Sequence, residues 1–235
     1  TPQELDGVLV THEHSDHVSG LPMLLKRFPL RVLAPGRAAG QLRALVPGYG
    51  EYIEEIAPGR GFALGGAYVS PFATLHDAAG SVGYALTGAG CRTVVCTDLG
   101  YITPEVRREA GRCDLLVCEA NHDEDWVKSG PYPYYLKQRI LGDQGHLSNE
   151  MGAELAALAV ESGVRTVVLA HLSSENNTPA RARDVVSRRL SAGGIDPERD
   201  ISLTVAPRKE CGPVFRLERG RDMAAFRLRE GAALC

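Results

Sequence analysis

The sequence predicts an α/β fold, and three observations carry that expectation. Short apolar runs rich in Val, Leu and Ile alternate with longer stretches of helical pattern. Ligand-type side chains follow directly on the ends of several of those runs. The composition is globular, with 44% hydrophobic and 23% charged residues in a chain of 235, long enough for a sizeable core. Runs at 7–10, 30–34, 67–74, 83–87, 93–97, 115–119, 166–170, 201–205 and 213–217 read as strands. Helices are expected over 19–28, 37–46, 104–111, 149–162 and 179–192. Ser148 can cap the fourth of these, with Glu150 favourable against the dipole in its first turn. The fifth opens Thr178-Pro179, a cap residue followed by proline at the first helical position. Segment 50–92 is Gly-rich and turn-punctuated, so antiparallel strands are expected there. Segment 120–147 is the longest without a clear element, and such loops usually carry function. One domain over 1–235 is expected.

The formal net charge of −3 argues against a globally basic nucleic-acid binder. Bound divalent ions would make a cleft locally positive regardless of that sum. No apolar stretch approaches the roughly 18–20 residues that span a bilayer, so no membrane role is expected. A basic-then-apolar leader is also absent from the sequence as given. The six cysteines, at 91, 96, 113, 118, 211 and 235, form no C-x-x-C pair, and Cys96 and Cys118 lie in apolar runs. Reduced, mostly buried thiols and a cytoplasmic location are the simplest expectation.

The chemistry starts at strand ends. "GVLVT" runs into His12, "FATL" into His76, "TVVCT" into Asp98 and "TVVLA" into His171. In α/β sheets that edge collects functional groups, because strands fix the backbone while loops supply side chains. "HEHSDH" adds His14, Asp16 and His17. Each of these residues alone would more often be a solvated or hydrogen-bonded side chain. Together they point to metal, and imidazoles with carboxylates suit zinc, manganese or iron better than calcium. Seven ligands suffice for two divalent ions if one ligand bridges.

"THEHSDH", "TLHD", "CTDLG" and "LAHLS" resemble the histidine and aspartate motifs of the metallo-β-lactamase superfamily. The resemblance implies a four-layer αββα sandwich with a two-metal hydrolytic centre. It assigns His12, His14 and His76 to one ion and Asp16, His17 and His171 to the other, with Asp98 shared. The superfamily spans many chemistries, so the fold does not choose the substrate. "LLVCEANHD" and "GHLSNEMGAELA" resemble paired motifs of tRNase Z-like phosphodiesterases, which implies a leaving-group role for His146 and an orienting role for Glu119. A departing alkoxide needs a proton, and a carboxylate-held imidazole can give one. "EANHD", "LGDQGHLSNE" and "HLSSENN" resemble the WalJ/YycJ-type bacterial hydrolases, from about residue 6 to about 210. Implied is a phosphodiesterase with 5′-to-3′ exonuclease activity on DNA, DNA being favoured over RNA. The family's opening strand pair ahead of the histidine motif is missing from the sequence.

Catalytic candidates are therefore His146, Glu119 and the metal-linked Asp16. Weaker substrate-binding candidates are His122, Ser173, Asn176, Lys137 and Arg139. Segment 125–140 interleaves Trp126, Tyr132, Tyr134 and Tyr135 with Lys128, Lys137 and Arg139. That pattern suits stacking on single-stranded nucleic acid, and equally a loop that packs its aromatics inward. Asp77 reads as a group that orients ligands. Alternatives are hydrolysis of a small ester, thioester or cyclic phosphodiester, and a non-catalytic metal-binding regulator. Oligomeric state stays open, a dimer included.

Overall fold

The computed structural model describes residues 1–217. The elements run β1 (Val8–Leu9), α1 (Ser15–Val18), α2 (Leu21–Arg27), β2 (Val32–Pro35), α3 (Gly36–Leu45), β3 (Ile53–Ile56), β4 (Phe62–Leu64), β5 (Ala67–Ala73), β6 (Val82–Gly88) and β7 (Cys91–Cys96). There follow α4 (Pro104–Ala110), β8 (Leu115–Glu119), α5 (Glu124–Ser129), α6 (Tyr134–Leu141), α7 (Asn149–Glu161), β9 (Thr166–Ala170), α8 (Pro179–Ala192) and β10 (Ser202–Val205).

Two sheets result. A small parallel sheet has the order β1-β2-β3, and a larger mixed sheet the order β10-β9-β8-β7-β6-β5-β4. In the latter β7 to β10 run parallel and β4 to β7 antiparallel. Helices α2 and α3 supply Leu21, Leu25 and Leu42 to an apolar cluster with Val32 and Ile53 of the small sheet. Helices α4, α7 and α8 cover the large sheet through Val106, Leu155 and Val186. Between the sheets, Leu9 and Ile56 of one meet Val69, Val82 and Tyr84 of the other. The layers are thus helix, sheet, sheet, helix, as each sheet buries an apolar face on both sides.

Most expected elements form, with the exceptions explicable. Strand β3 lies in the 50–92 segment but pairs parallel to β2 in the other sheet, so only β4 to β7 make the antiparallel run. Segment 120–147 contains two short helices, α5 and α6, rather than open loop. No strand forms at 213–217, which is irregular and largely exposed. Ser148 accepts from Met151 N at 3.3 Å and Thr178 from Arg181 N at 3.2 Å, as caps. Cys91, Cys96 and Cys118 are buried thiols and Cys113 is half-buried. Cys211 is exposed, and Cys235 lies outside the described residues. No helix among the described residues is long and apolar enough to cross a membrane.

Candidate metal centre

The first four candidate ligands are delivered by the end of β1. Val10 N donates to Leu33 O at 2.9 Å, the Tyr84 hydroxyl donates to Val10 O at 2.6 Å, and Val82 N donates to Thr11 O at 3.1 Å. These bonds tie the small sheet to the large one immediately before His12. The turn of α1 then brings Asp16 and His17 back over His12, whose ring lies 4.1 Å from that of His17. His76, Asp98 and His171 arrive from the ends of β5, β7 and β9.

Asp98 and His171 both sit at φ 58°, the left-handed region, and Ala89 is the one other non-glycine residue there among the described residues. Such a backbone costs on the order of 1–3 kcal/mol per residue and persists where surrounding structure enforces it. Here it turns each side chain off its strand end into a common cleft. Gly100 permits the close fit behind it: a Cβ there would stand 2.2 Å from Asp143 O.

The seven residues converge in overlapping groups: His12 with His14 and His76, Asp16 with His17 and His171, and His12 with His17 and Asp98. His76 Nε2 lies 3.3 Å from His14 Nδ1 and 3.5 Å from Asp98 Oδ1. His171 Nε2 is 3.4 Å from both Asp16 Oδ2 and Asp98 Oδ1, and His17 Nε2 is 3.3 Å from Asp98 Oδ2. Bonds of about 2.0–2.1 Å to a tetrahedral ion put its ligand atoms about 3.3 Å apart, so these spacings fit. The buried His12 Nε2 and Asp98 Oδ2 have no hydrogen-bond partner. Buried polar atoms are rarely left so, and a cation satisfies both. The residues present therefore fit divalent metal ions.

Supporting contacts fix the rings. His76 Nδ1 donates to Gly145 O at 2.9 Å, which leaves Nε2 for the cluster. Asp77 stands 3.5 Å from His76 Nε2 and is ion-paired with Arg139. Glu119, wholly buried, holds two histidines at once: His146 and His171 each donate from Nδ1 to its Oε1 at 2.9 Å. Its Oε2 accepts from Leu99 N at 2.8 Å and Leu147 N at 3.2 Å. The pairing with His171 follows from register, since Glu119 is opposite Ala170 in the β8–β9 ladder. The pairing with His146 follows because Asn121 N donates to Leu147 O, running the two loops side by side.

Charges separate within the cluster. Burial lowers His12 to about 3 and also lowers His76, so both rings are neutral. Burial disfavours charge on His171 too, but the Glu119 carboxylate, then Asp98 and Asp16, raise it to about 9. Burial likewise works against ionised Asp98 and Glu119, and their histidine neighbours overcome it and hold both carboxyls below the usual range.

A cleft of about 630 Å³ opens over this cluster, lined by His14, Asp98, His146 and His171 on its floor. Arg139 and Ser173 are also in its wall. His122 is not: it is 1% exposed, both ring nitrogens lack a partner, and burial lowers it to about 4. Asn176 is buried in a turn, its N donating to Ser173 Oγ at 3.1 Å and its O accepting from Asp123 N at 2.9 Å. Lys137 lies outside the lining and donates to Lys128 O at 2.7 Å. These three residues therefore stand outside the lining of this cleft. Among the lining residues that went unread in the sequence are Asn121 and Arg208. Asn121 donates from Nδ2 to His171 O at 2.7 Å, and Arg208 donates to Leu172 O. Asn121 could have been suspected beside Glu119, whereas nothing local marks Arg208.

Residues 1–172 match the model of the β-lactamase superfamily domain. The exodeoxyribonuclease YycJ of Bacillus anthracis is 34% identical over 195 residues, 82% of this chain and 73% of the relative. The exodeoxyribonuclease WalJ of Streptococcus pneumoniae is 32% identical over 199 residues, 83% of this chain and 73% of the relative. Among solved structures, the metallo-β-lactamase fold protein YhfI of Bacillus subtilis superposes with a TM-score of 0.66 at 17% identity, over 87% of this chain and 76% of that one. Sequence match, layer order and ligand cluster agree: the chain belongs to the metallo-β-lactamase superfamily, as a hydrolase of the YycJ/WalJ type.

Proposed function

We propose that the chain is a two-metal phosphodiesterase acting as an exonuclease on DNA, in the 5′-to-3′ direction, in the cytoplasm. The observation that carries this reading is His146, held by Glu119 at 2.9 Å and lining the same cleft as the ligand cluster. His12, His14 and His76 would hold one ion, Asp16, His17 and His171 the other, and Asp98 both. Bound there, zinc or manganese, with iron as a further option, would supply an activated water and offset charge on phosphoryl oxygens. With Nδ1 committed to Glu119, the other nitrogen of His146 is the one that gives a proton to the departing sugar oxygen. Glu119 stays ionised in the metal-free chain, so it accepts from Nδ1 and orients that ring. Arg139 and Arg208, both lining the cleft, bear the cations that would receive flanking phosphates. The two relatives named as exodeoxyribonucleases support nucleic acid as the substrate class.

The test is to incubate end-labelled DNA and RNA with the manganese- or zinc-loaded protein and resolve the product ladder. Stepwise shortening of DNA from the 5′ end is expected. Internal cuts, or cleavage of thioesters with no cleavage of DNA, would overturn the reading.

A further inference from the structure

A second feature, next to the cleft in the chain, is aromatic. Tyr134 and Tyr135, in the first turn of α6, are 76% and 73% exposed, so they contribute little to any core. Two large rings side by side in solvent are uncommon without a partner, since apolar patches of this kind usually mark interaction sites. They do not line the cleft themselves, but in the chain they stand between residues that do. Tyr132, two residues before, lines it, and so do Arg139 and Ile140 at the far end of the same helix. The segment 131–133, with prolines at both ends, leads into that turn. Trp126 of α5 does not join them, because Arg181 covers its ring at 5.1 Å.

Resting on the nuclease reading, we propose that Tyr132, Tyr134 and Tyr135 form a stacking ledge for unpaired bases of the strand being cut. Sugar and phosphate would enter between Arg139 and Arg208, while the bases next to the scissile linkage lie on the tyrosine faces. The occupant is a nucleic-acid strand, because the exposed rings are aromatic and adjoin, through Tyr132, a cleft also lined by Arg139 and Arg208. Aromatic faces take any base, so the ledge would grip the strand without reading its sequence. A duplex end would have to open by a few pairs before its strand could reach the metals.

The experiment compares kcat/KM of the metal-loaded protein on two single-stranded oligonucleotides. One carries normal bases, and the other carries abasic residues around the first linkage to be cut. The wild-type protein should prefer the normal oligonucleotide by on the order of 10- to 100-fold, the scale of one or two stacked bases. The variant Y134A/Y135A should bring that ratio close to one, and Y134F/Y135F, which keeps the rings, should restore it. A wild-type ratio near one, or a ratio unmoved by the alanine pair, overturns the ledge while leaving the nuclease intact. Turnover of bis-p-nitrophenyl phosphate by the wild-type protein with no cleavage of either oligonucleotide overturns the nuclease reading, and the ledge with it.

Discussion

The two ends of the ligand cluster are made of similar side chains in different surroundings. At one end His12 is fully buried and His76 nearly so, and burial keeps both neutral in the metal-free chain. At the other end the Asp16 side chain is 62% exposed, and His171 is raised to about 9 by Glu119 and its carboxylate neighbours. The difference teaches that His12 and His76 carry no proton for a cation to displace, while His171 at the other end holds one that a cation must displace. It also puts the general acid beside the wetter end, since Glu119 braces both His171 and His146.

The comparison breaks most completely at the residue common to both ends. Asp98→Ala should strip both positions, with metal affinity falling by more than about 100-fold, the upper end of what losing a supporting contact costs. Elemental analysis after dialysis would show it, and two ions retained would mean that Asp98 bridges nothing. Glu119→Gln should act on the wetter end alone. It removes the charge behind His171 and His146, so turnover should fall about 10- to 100-fold while the three-histidine end keeps its ion. Equal loss of both ions in that variant would show that the ends are not separable.

A smaller effect sharpens the same contrast through pH. Below about 9 the metal-free His171 is protonated, whereas His12, lowered to about 3, has no proton to lose. Loading the second ion should therefore release a proton from His171 and weaken about tenfold per pH unit as pH falls below 9. Calorimetry in two buffers of different ionisation enthalpy would read the difference between the first and second equivalents. The stability sign agrees. A raised pKa means that His171 supports the metal-free fold fully below its ordinary 6.5, and that support fades as pH rises through about 9.

Much of the centre was legible because its ligands are local or sit at recognisable strand ends. His12, His14, Asp16 and His17 fall within six positions, and His76, Asp98 and His171 each follow an apolar run. The positive φ at Asp98 and His171 was not legible, since neither is glycine and the strain is imposed by neighbours. The double role of Glu119 depends on parallel register between β8 and β9, a non-local pairing that no sequence window contains. The same reason hid the move of β3 to the small sheet. Helices α5 and α6 escaped notice because each is short and Gly130, Pro131 and Pro133 interrupt the period between them. The burial of His122 was not legible either, since it depends on how the chain turns after β8.

The central claim is that holding metal and donating the leaving-group proton are separate tasks of separate residues. Metal content and DNA turnover measured together on His146→Ala test it most directly. The account predicts two ions per chain and turnover reduced by about 10²- to 10⁴-fold, the range of a lost general acid. Wild-type turnover, or loss of an ion along with activity, would contradict it.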